Sequence, residues 1–209
     1  LAYGVVGVGA AIYGPAKYGI LPDLVSHERL VKANGWIEGS TVVAILLGAV
    51  VGVIGLTVTW RLARRVGGPL AGVATLLLLA LCPTFYGHMF MNPKDAPFAV
   101  SMVILILGLV RLAEEYPAPS PRTILIVGLG AGLSIGCRIL GGLALVYAMV
   151  GLAPLLIEEV RTQGSREAMR RFGHVVYVLL PGLVLGYLIM GLVWPWSIME
   201  ADHPFKALT

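Results

Sequence analysis

The residues best suited to chemistry lie in a short polar run, Tyr86-Gly87-His88-Met89-Phe90-Met91-Asn92-Pro93-Lys94-Asp95-Ala96-Pro97, between two apolar stretches. Asp95 supplies a carboxylate that can take a proton, and Lys94 an adjacent ammonium that can hold an anion. Charges at the rim of a bilayer are costly, which makes them candidates for function. Asp95 stands where a helix would begin, with Pro97 just inside it, so the helix N-terminus can stabilise the negative charge. His88 can bond Asp95 or a ligand, and Asn92 lies in the same run. Arg138, inside Gly136-Cys137-Arg138-Ile139-Leu140-Gly141-Gly142, is the best intramembrane cation. Each has a plainer alternative: a capped loop without chemistry, an interfacial histidine and a snorkelling arginine.

The elements that must position these groups are membrane helices. The chain is 58% hydrophobic and 12% charged, with a mean hydropathy of +0.89. A soluble domain would carry about twice that charge fraction. The expected fold is an all-α integral membrane protein, a polytopic bundle of about seven transmembrane helices. The spans read at 1–20, 36–60, 69–85, 96–112, 123–139, 140–157 and 175–196. The ~10-residue alternation of a membrane barrel is absent. Gly48/Gly52 and Gly132/Gly136 have the spacing of closely packed helices. Gly4-Val5-Val6-Gly7-Val8-Gly9 also reads as packing, because no strand precedes it to make a nucleotide loop. Cys82 and Cys137 lie in apolar segments and read as small packing residues. The chain opens at Leu1 inside an apolar stretch, with no signal-peptide pattern, which predicts a truncated N-terminus.

Basic residues orient the bundle. Arg61, Arg64, Arg65, Arg111, Arg122, Arg161, Arg166, Arg170 and Arg171 all fall on one side if the spans alternate, and the positive-inside rule makes that side cytoplasmic. The net charge of +4 therefore belongs to short loops and is no sign of a nucleic-acid partner. The polar run 92–95 and the tail 197–209 then face outside, with Trp194 and Trp196 at the interface. The loop 22–32, with Arg29 and Lys32, must also lie outside on this count, against the same rule.

Two family resemblances divide the chain. Tyr3-Gly4-Val5-Val6-Gly7-Val8-Gly9-Ala10-Ala11, Gly14-Pro15-Ala16-Lys17-Tyr18-Gly19-Ile20-Leu21, Leu30-Val31-Lys32-Ala33-Asn34-Gly35, Glu38, Ser40-Thr41 and Ala44-Ile45-Leu46-Leu47-Gly48 resemble the bacterial lysophospholipid transporters of the major facilitator superfamily. The resemblance covers about 1–52, a truncated transporter-like helix pair. The remainder, about 53–209, is similar to the GT-C membrane glycosyltransferases, the class of dolichyl-phosphate-mannose protein mannosyltransferases and their bacterial relatives. That similarity rests on Arg61-Leu62-Ala63-Arg64-Arg65, Cys82-Pro83-Thr84-Phe85-Tyr86-Gly87-His88, Asn92-Pro93-Lys94-Asp95-Ala96-Pro97, Gly136-Cys137-Arg138-Ile139-Leu140-Gly141-Gly142 and Trp194-Pro195-Trp196.

The resemblances imply opposite directions for the helix at 36–60. In the transporters the loop holding Lys32 and Asn34 is cytoplasmic, so the next helix runs outward; in the transferases the helix ending at Arg61 runs inward. The expectation is a splice of two families near 47–56.

The transferase resemblance implies a sugar moved from a polyprenyl-phosphate carrier at the outer face of a bacterial inner membrane. Such a reaction needs a base, cations for the departing phosphate and a groove for the lipid. Asp95 is then the catalytic candidate, and Lys94, Arg138, His88 and Asn92 the substrate-binding candidates. Membrane lipids and the polyprenyl-phosphate sugar are the expected partners. No cofactor is identified: a divalent metal would suit the chemistry, but Asp202 and His203 alone do not make a site. The family's principal carboxylate sits in a large outer loop after its first helix, and here 22–32 takes that place with only Asp23 and Glu28. The expected function is thus a glycosyltransferase fragment, inactive as it stands. The alternatives are a transporter fragment, for which two helices form no path, or a nonfunctional chimera. Lys17, Asn34 and Glu38 read as a transporter gate or, more simply, as a snorkelling Lys17 and a Glu38 that caps or pairs with Lys32. Glu158 and Glu159 with Arg161 read as a solvated helix end, and Pro117, Pro119 and Pro121 as a stiff turn.

Overall fold

A computed structural model describes residues 19–92, 94–195 and 199. These form helices α1 (Leu21–Leu24), α2 (Leu30–Ala80), α3 (Pro83–Met91), α4 (Asp95–Glu115), α5 (Pro121–Cys137), α6 (Leu143–Gln163) and α7 (Ser165–Val193), with single 3-10 turns at His27–Arg29 and Ile139–Gly142. No strand occurs among the described residues. Four helical segments are long and apolar enough to cross a membrane: Leu30–Ala80, Asp95–Glu115, Ile139–Gln163 and Ser165–Val193; α5, at 17 residues, is shorter. The chain is an all-α, multi-pass membrane protein.

It divides into two compact units, Leu1–Leu47 and Gly48–Thr209. In the first, α1 and the opening of α2 are largely exposed, and Ser40 and Thr41 return their hydroxyls to the Ile37 carbonyl at 2.8 Å. Asn34 and Glu38 lie on this exposed stretch. Lys17, the expected span 1–20 up to residue 18, and the tail residues Asp202 and His203 fall outside the described residues.

In the second unit α5 is the central helix, packed most extensively against α7 and α4. Leu105 and Val127 form the core between α4 and α5, joined by Leu109, Ala131 and Leu179. Glycines bring α5 and α7 together. A Cβ at Gly128 would strike the Gly182 carbonyl, and one at Gly132 the Gly186 carbonyl, so the two backbones meet across Gly128/Gly132 and Gly182/Gly186. Gly48 and Gly52, by the same logic, accommodate Met89 of α3.

Helix boundaries depart from the expected spans where proline and glycine intervene. α2 joins two limbs across Gly68, whose φ of 81° only glycine adopts readily. The later limb folds back, because Gly72 lies against Trp60 and Arg64. The span expected at 69–85 is not one helix: α2 stops at Ala80 and α3 starts at Pro83. Proline lacks the N–H that would continue the ladder and pushes the residue before it out of the helical region, and Cys82 is accordingly extended at ψ 110°. α7 begins ten residues before the expected 175, at Ser165.

Helices α4 to α7 alternate in direction. The starts of α4 and α6 and the ends of α5 and α7 share one end; the other gathers Arg111, Glu115, Tyr116, Glu159 and Arg171. That second end corrects one reading. Glu159 is not a solvated residue: it is 8% exposed, accepts a short hydrogen bond from the Tyr116 hydroxyl and pairs with Arg171 at 3.2 Å. Its partners come from other elements, so Glu158 and Arg161 were poor guides to its surroundings. The turn before α5 holds a cis Tyr116–Pro117 bond, and Pro121 occupies the first turn of α5.

Candidate functional site

Asp95 is the first residue of α4, as its sequence position predicts. The Asn92 side chain builds that start. Its Oδ1 accepts the backbone N–H groups of Lys94 at 3.1 Å and Asp95 at 2.9 Å, supplying acceptors that the helix N-terminus needs. Its Nδ2 donates to Asp95 Oδ2 at 2.6 Å and lies 3.2 Å from His88 Nδ1. His88, Asn92 and Asp95 are therefore one connected polar cluster, with Asn92 between the other two.

Arg138 reaches the same cluster from α5. It caps the end of that helix with extended backbone, φ −152° and ψ 138°, while its N–H remains bonded to the Ser134 carbonyl at 3.0 Å. Its guanidinium forms an ion pair with Asp95 Oδ1 and lies 6.0 Å from the Phe98 ring centroid. The two side chains are 40% and 41% exposed, so the pair stands at a wall open to solvent. One Asp95 oxygen thus meets Arg138 and the other Asn92.

Beside the pair opens a cleft of about 480 Å³, lined by Lys94, Gly136, Arg138, Ile139, Val193 and Trp194, among others. Two cations share this wall with an indole and aliphatic side chains, a combination that fits an anion carried on an apolar group. A separate, almost wholly apolar cavity of about 590 Å³ lies between α6 and the other three helices, lined by Leu109, Leu152, Phe172 and Leu179 among others. It belongs to the opposite half of the bundle and does not adjoin Asp95.

The structure brings together all five residues selected from the sequence: Asp95, Arg138, Asn92 and His88 through contacts, Lys94 through the shared cleft. Phe98 was missed, although its place three residues after Asp95 puts it on the same helix face. Trp194 was read as an interface marker and as part of the Trp194-Pro195-Trp196 motif, not as a site residue, yet it lines the cleft. No group of three His, Cys, Asp or Glu side chains among the described residues could hold a metal ion.

Comparison with known proteins gives two different matches. The family model described as "Dolichyl-phosphate-mannose-protein mannosyltransferase" matches residues 36–196. Among curated proteins, the lysophospholipid transporters LplT of Yersinia pestis (strain Pestoides F) and Yersinia pseudotuberculosis serotype O:3 (strain YPIII) are each 57% identical over 67 residues, which is 32% of this chain and 16% of theirs. The chain therefore spans about a sixth of the length of the curated relatives it matches. Only 48 of the 209 residues lie outside 36–196, so a 67-residue match must share at least 19 residues with it. No solved structure matches.

Proposed function

The chain belongs to the dolichyl-phosphate-mannose-protein mannosyltransferase family, and we propose that it is a fragment of a membrane glycosyltransferase whose Asp95 end forms part of the site for a polyprenyl-phosphate sugar. The observation that carries this reading is the Asp95–Arg138 pair beside the cleft lined by Lys94 and Trp194. In that arrangement Arg138 and Lys94 offer positive charge to the bridging phosphate as it departs. Asp95 accepts a proton or, through its ion pair, keeps Arg138 directed at the phosphate. Asn92 fixes Asp95, and Trp194, Ile139 and Val193 give the first isoprene units an apolar surface. The outer face of a bacterial inner membrane is the proposed location.

The fragment is proposed to bind donor without turning it over, because 22–32 supplies Asp23 and Glu28 in place of the family's large acidic outer loop. Its first 52 residues are proposed to be transporter-like sequence joined to a transferase-like region at 53–209. The division of the chain at Leu47/Gly48 supports a change near that boundary, while the LplT match, at 67 residues, is longer than 1–52.

The test uses the 209-residue chain in nanodiscs with a mannosyl-phospho-polyprenol. The expected result is saturable binding that Arg138→Ala weakens at least tenfold, with no sugar released to peptide or water. Equal binding by wild type and Arg138→Ala would remove the site from this end. Measurable transfer would show that the fragment is active.

A further inference from the structure

Arg61, Arg64 and Arg65 fall at i, i+3 and i+4 of α2, so one face of the helix carries three guanidinium groups. With Arg111 of α4 they surround a cavity of about 550 Å³, whose wall is completed by Trp60, Leu107 and Ile126. This cavity is at the end of the bundle away from Asp95. Two of its arginines are held in place: Arg65 Nε donates to Glu114 at 2.5 Å, and Arg111 donates to Thr123 Oγ1 and Glu115, each at 2.9 Å. Arg61 and Arg64 form no ion pair among the described residues, and Arg64 lies 5.4 Å from the Trp60 ring centroid. Four positive charges against two negative ones leave a surplus of two at a single cavity. Arg170 and Arg171, at the same end, differ: Glu167 and Glu159 already engage them.

We propose that this cavity binds a phosphate-bearing anion, with Arg61 and Arg64 as its free cationic contacts. Guanidinium groups match phosphate oxygens in geometry and charge, and the held pair Arg65 and Arg111 is preorganised. The indole and the Leu107/Ile126 wall suit a phosphodiester attached to acyl chains, as in an anionic phospholipid; a soluble phosphate would meet the same guanidinium groups. The site is separate from the proposed donor cleft in residues, helix ends and ligand contacts, so the two proposals stand or fall independently.

The test places the full chain in phosphatidylcholine nanodiscs with and without phosphatidylglycerol and measures retained lipid by native mass spectrometry. A parallel arm titrates inorganic phosphate into phosphatidylcholine nanodiscs and follows tryptophan fluorescence, with Trp60→Phe to assign the signal. Phosphatidylglycerol should be retained over phosphatidylcholine by on the order of tenfold. R61Q/R64Q should abolish the preference and R61K/R64K keep most of it. Lipid preference without a phosphate response identifies a headgroup as the source; a Trp60-dependent phosphate response identifies a soluble anion. Absence of both in the wild-type chain, or a preference undiminished in a folded R61Q/R64Q, overturns the site. If R61Q/R64Q does not fold, the wild-type arms decide.

Discussion

Asp95 and Arg138, one opening α4 and the other closing α5, form an ion pair across 43 positions of sequence. The pair ties two helix ends together at the wall of the cleft. Both side chains are about two-fifths exposed, so its stabilising effect is that of a surface pair, about 0.2–1 kcal/mol. Its larger effect is to set the direction of the guanidinium.

Replacing either partner should therefore affect ligand binding far more than folding. Asp95→Asn and Arg138→Gln are each expected to leave the unfolding midpoint in mixed dodecylmaltoside–SDS micelles within about 1 kcal/mol of wild type. Donor binding should fall at least tenfold in both. A double-mutant cycle with no coupling in binding would remove the guanidinium-directing role.

Asn92→Ala should remove the acceptor for two N–H groups at the start of α4 and release Asp95 from its amide partner. The expected cost is about 1 kcal/mol, the usual effect of losing a helix cap. Hydrogen exchange should quicken at Lys94 and Asp95 and stay unchanged in the middle of α4. Uniform quickening along the helix would contradict a local cap.

The glycine contact between α5 and α7 predicts a position-dependent response to added side chains. Gly128→Ala and Gly182→Ala place a Cβ against facing backbone and should destabilise by about 1–3 kcal/mol or more. Gly151→Ala and Gly173→Ala meet nothing within 4 Å and should be neutral or slightly stabilising through helix propensity. Equal effects at all four positions, read by SDS unfolding, would argue against backbone contact at Gly128 and Gly182.

Tyr116 should titrate late. Burial, then its hydrogen bond to Glu159 and that carboxylate's negative charge, push the phenol up to about 12. The neutral phenol is the form that the fold favours, so its contribution is fully present below pH 10. It is lost as pH rises from about 10 through about 12, where first the unfolded and then the folded tyrosine ionises. The phenolate absorbance difference between wild type and Tyr116→Phe should show this late step, and Glu159→Gln should move it toward lower pH. A step at the ordinary tyrosine position in wild type would mean that the Tyr116–Glu159 bond does not form.

Much of this arrangement is legible in the sequence because charge in an apolar run is conspicuous. Asp95 before Pro97 and Arg138 among glycines stand out without any partner being known. Their mutual contact is not visible, since no local spacing reports that α5 ends beside the start of α4. Glu159 shows the reverse failure. Its neighbours Glu158 and Arg161 imply solvent, while Tyr116 and Arg171, which bury it, arrive from the turn between α4 and α5 and from the following helix. Pro83 was visible and still fell inside an expected span, because hydropathy over 69–85 outweighed the backbone rule that proline imposes. Gly182 and Gly186 repeat the four-residue spacing noticed at Gly132 and Gly136, so the facing stripe was written in the chain but not selected.

The brevity of α5 has a consequence for the lipid around it. Seventeen residues at 1.5 Å each span only about 26 Å, short of a hydrocarbon layer about 30 Å thick. Where α5 crosses the bilayer, the mismatch would be met by local thinning or by headgroups and water dipping toward Arg138 at the helix end. A bilayer matched to α5 would be thinner over the Asp95–Arg138 pair than elsewhere. A lipid-borne phosphate that must leave the headgroup plane to react elsewhere would then find that plane already lowered to the cleft.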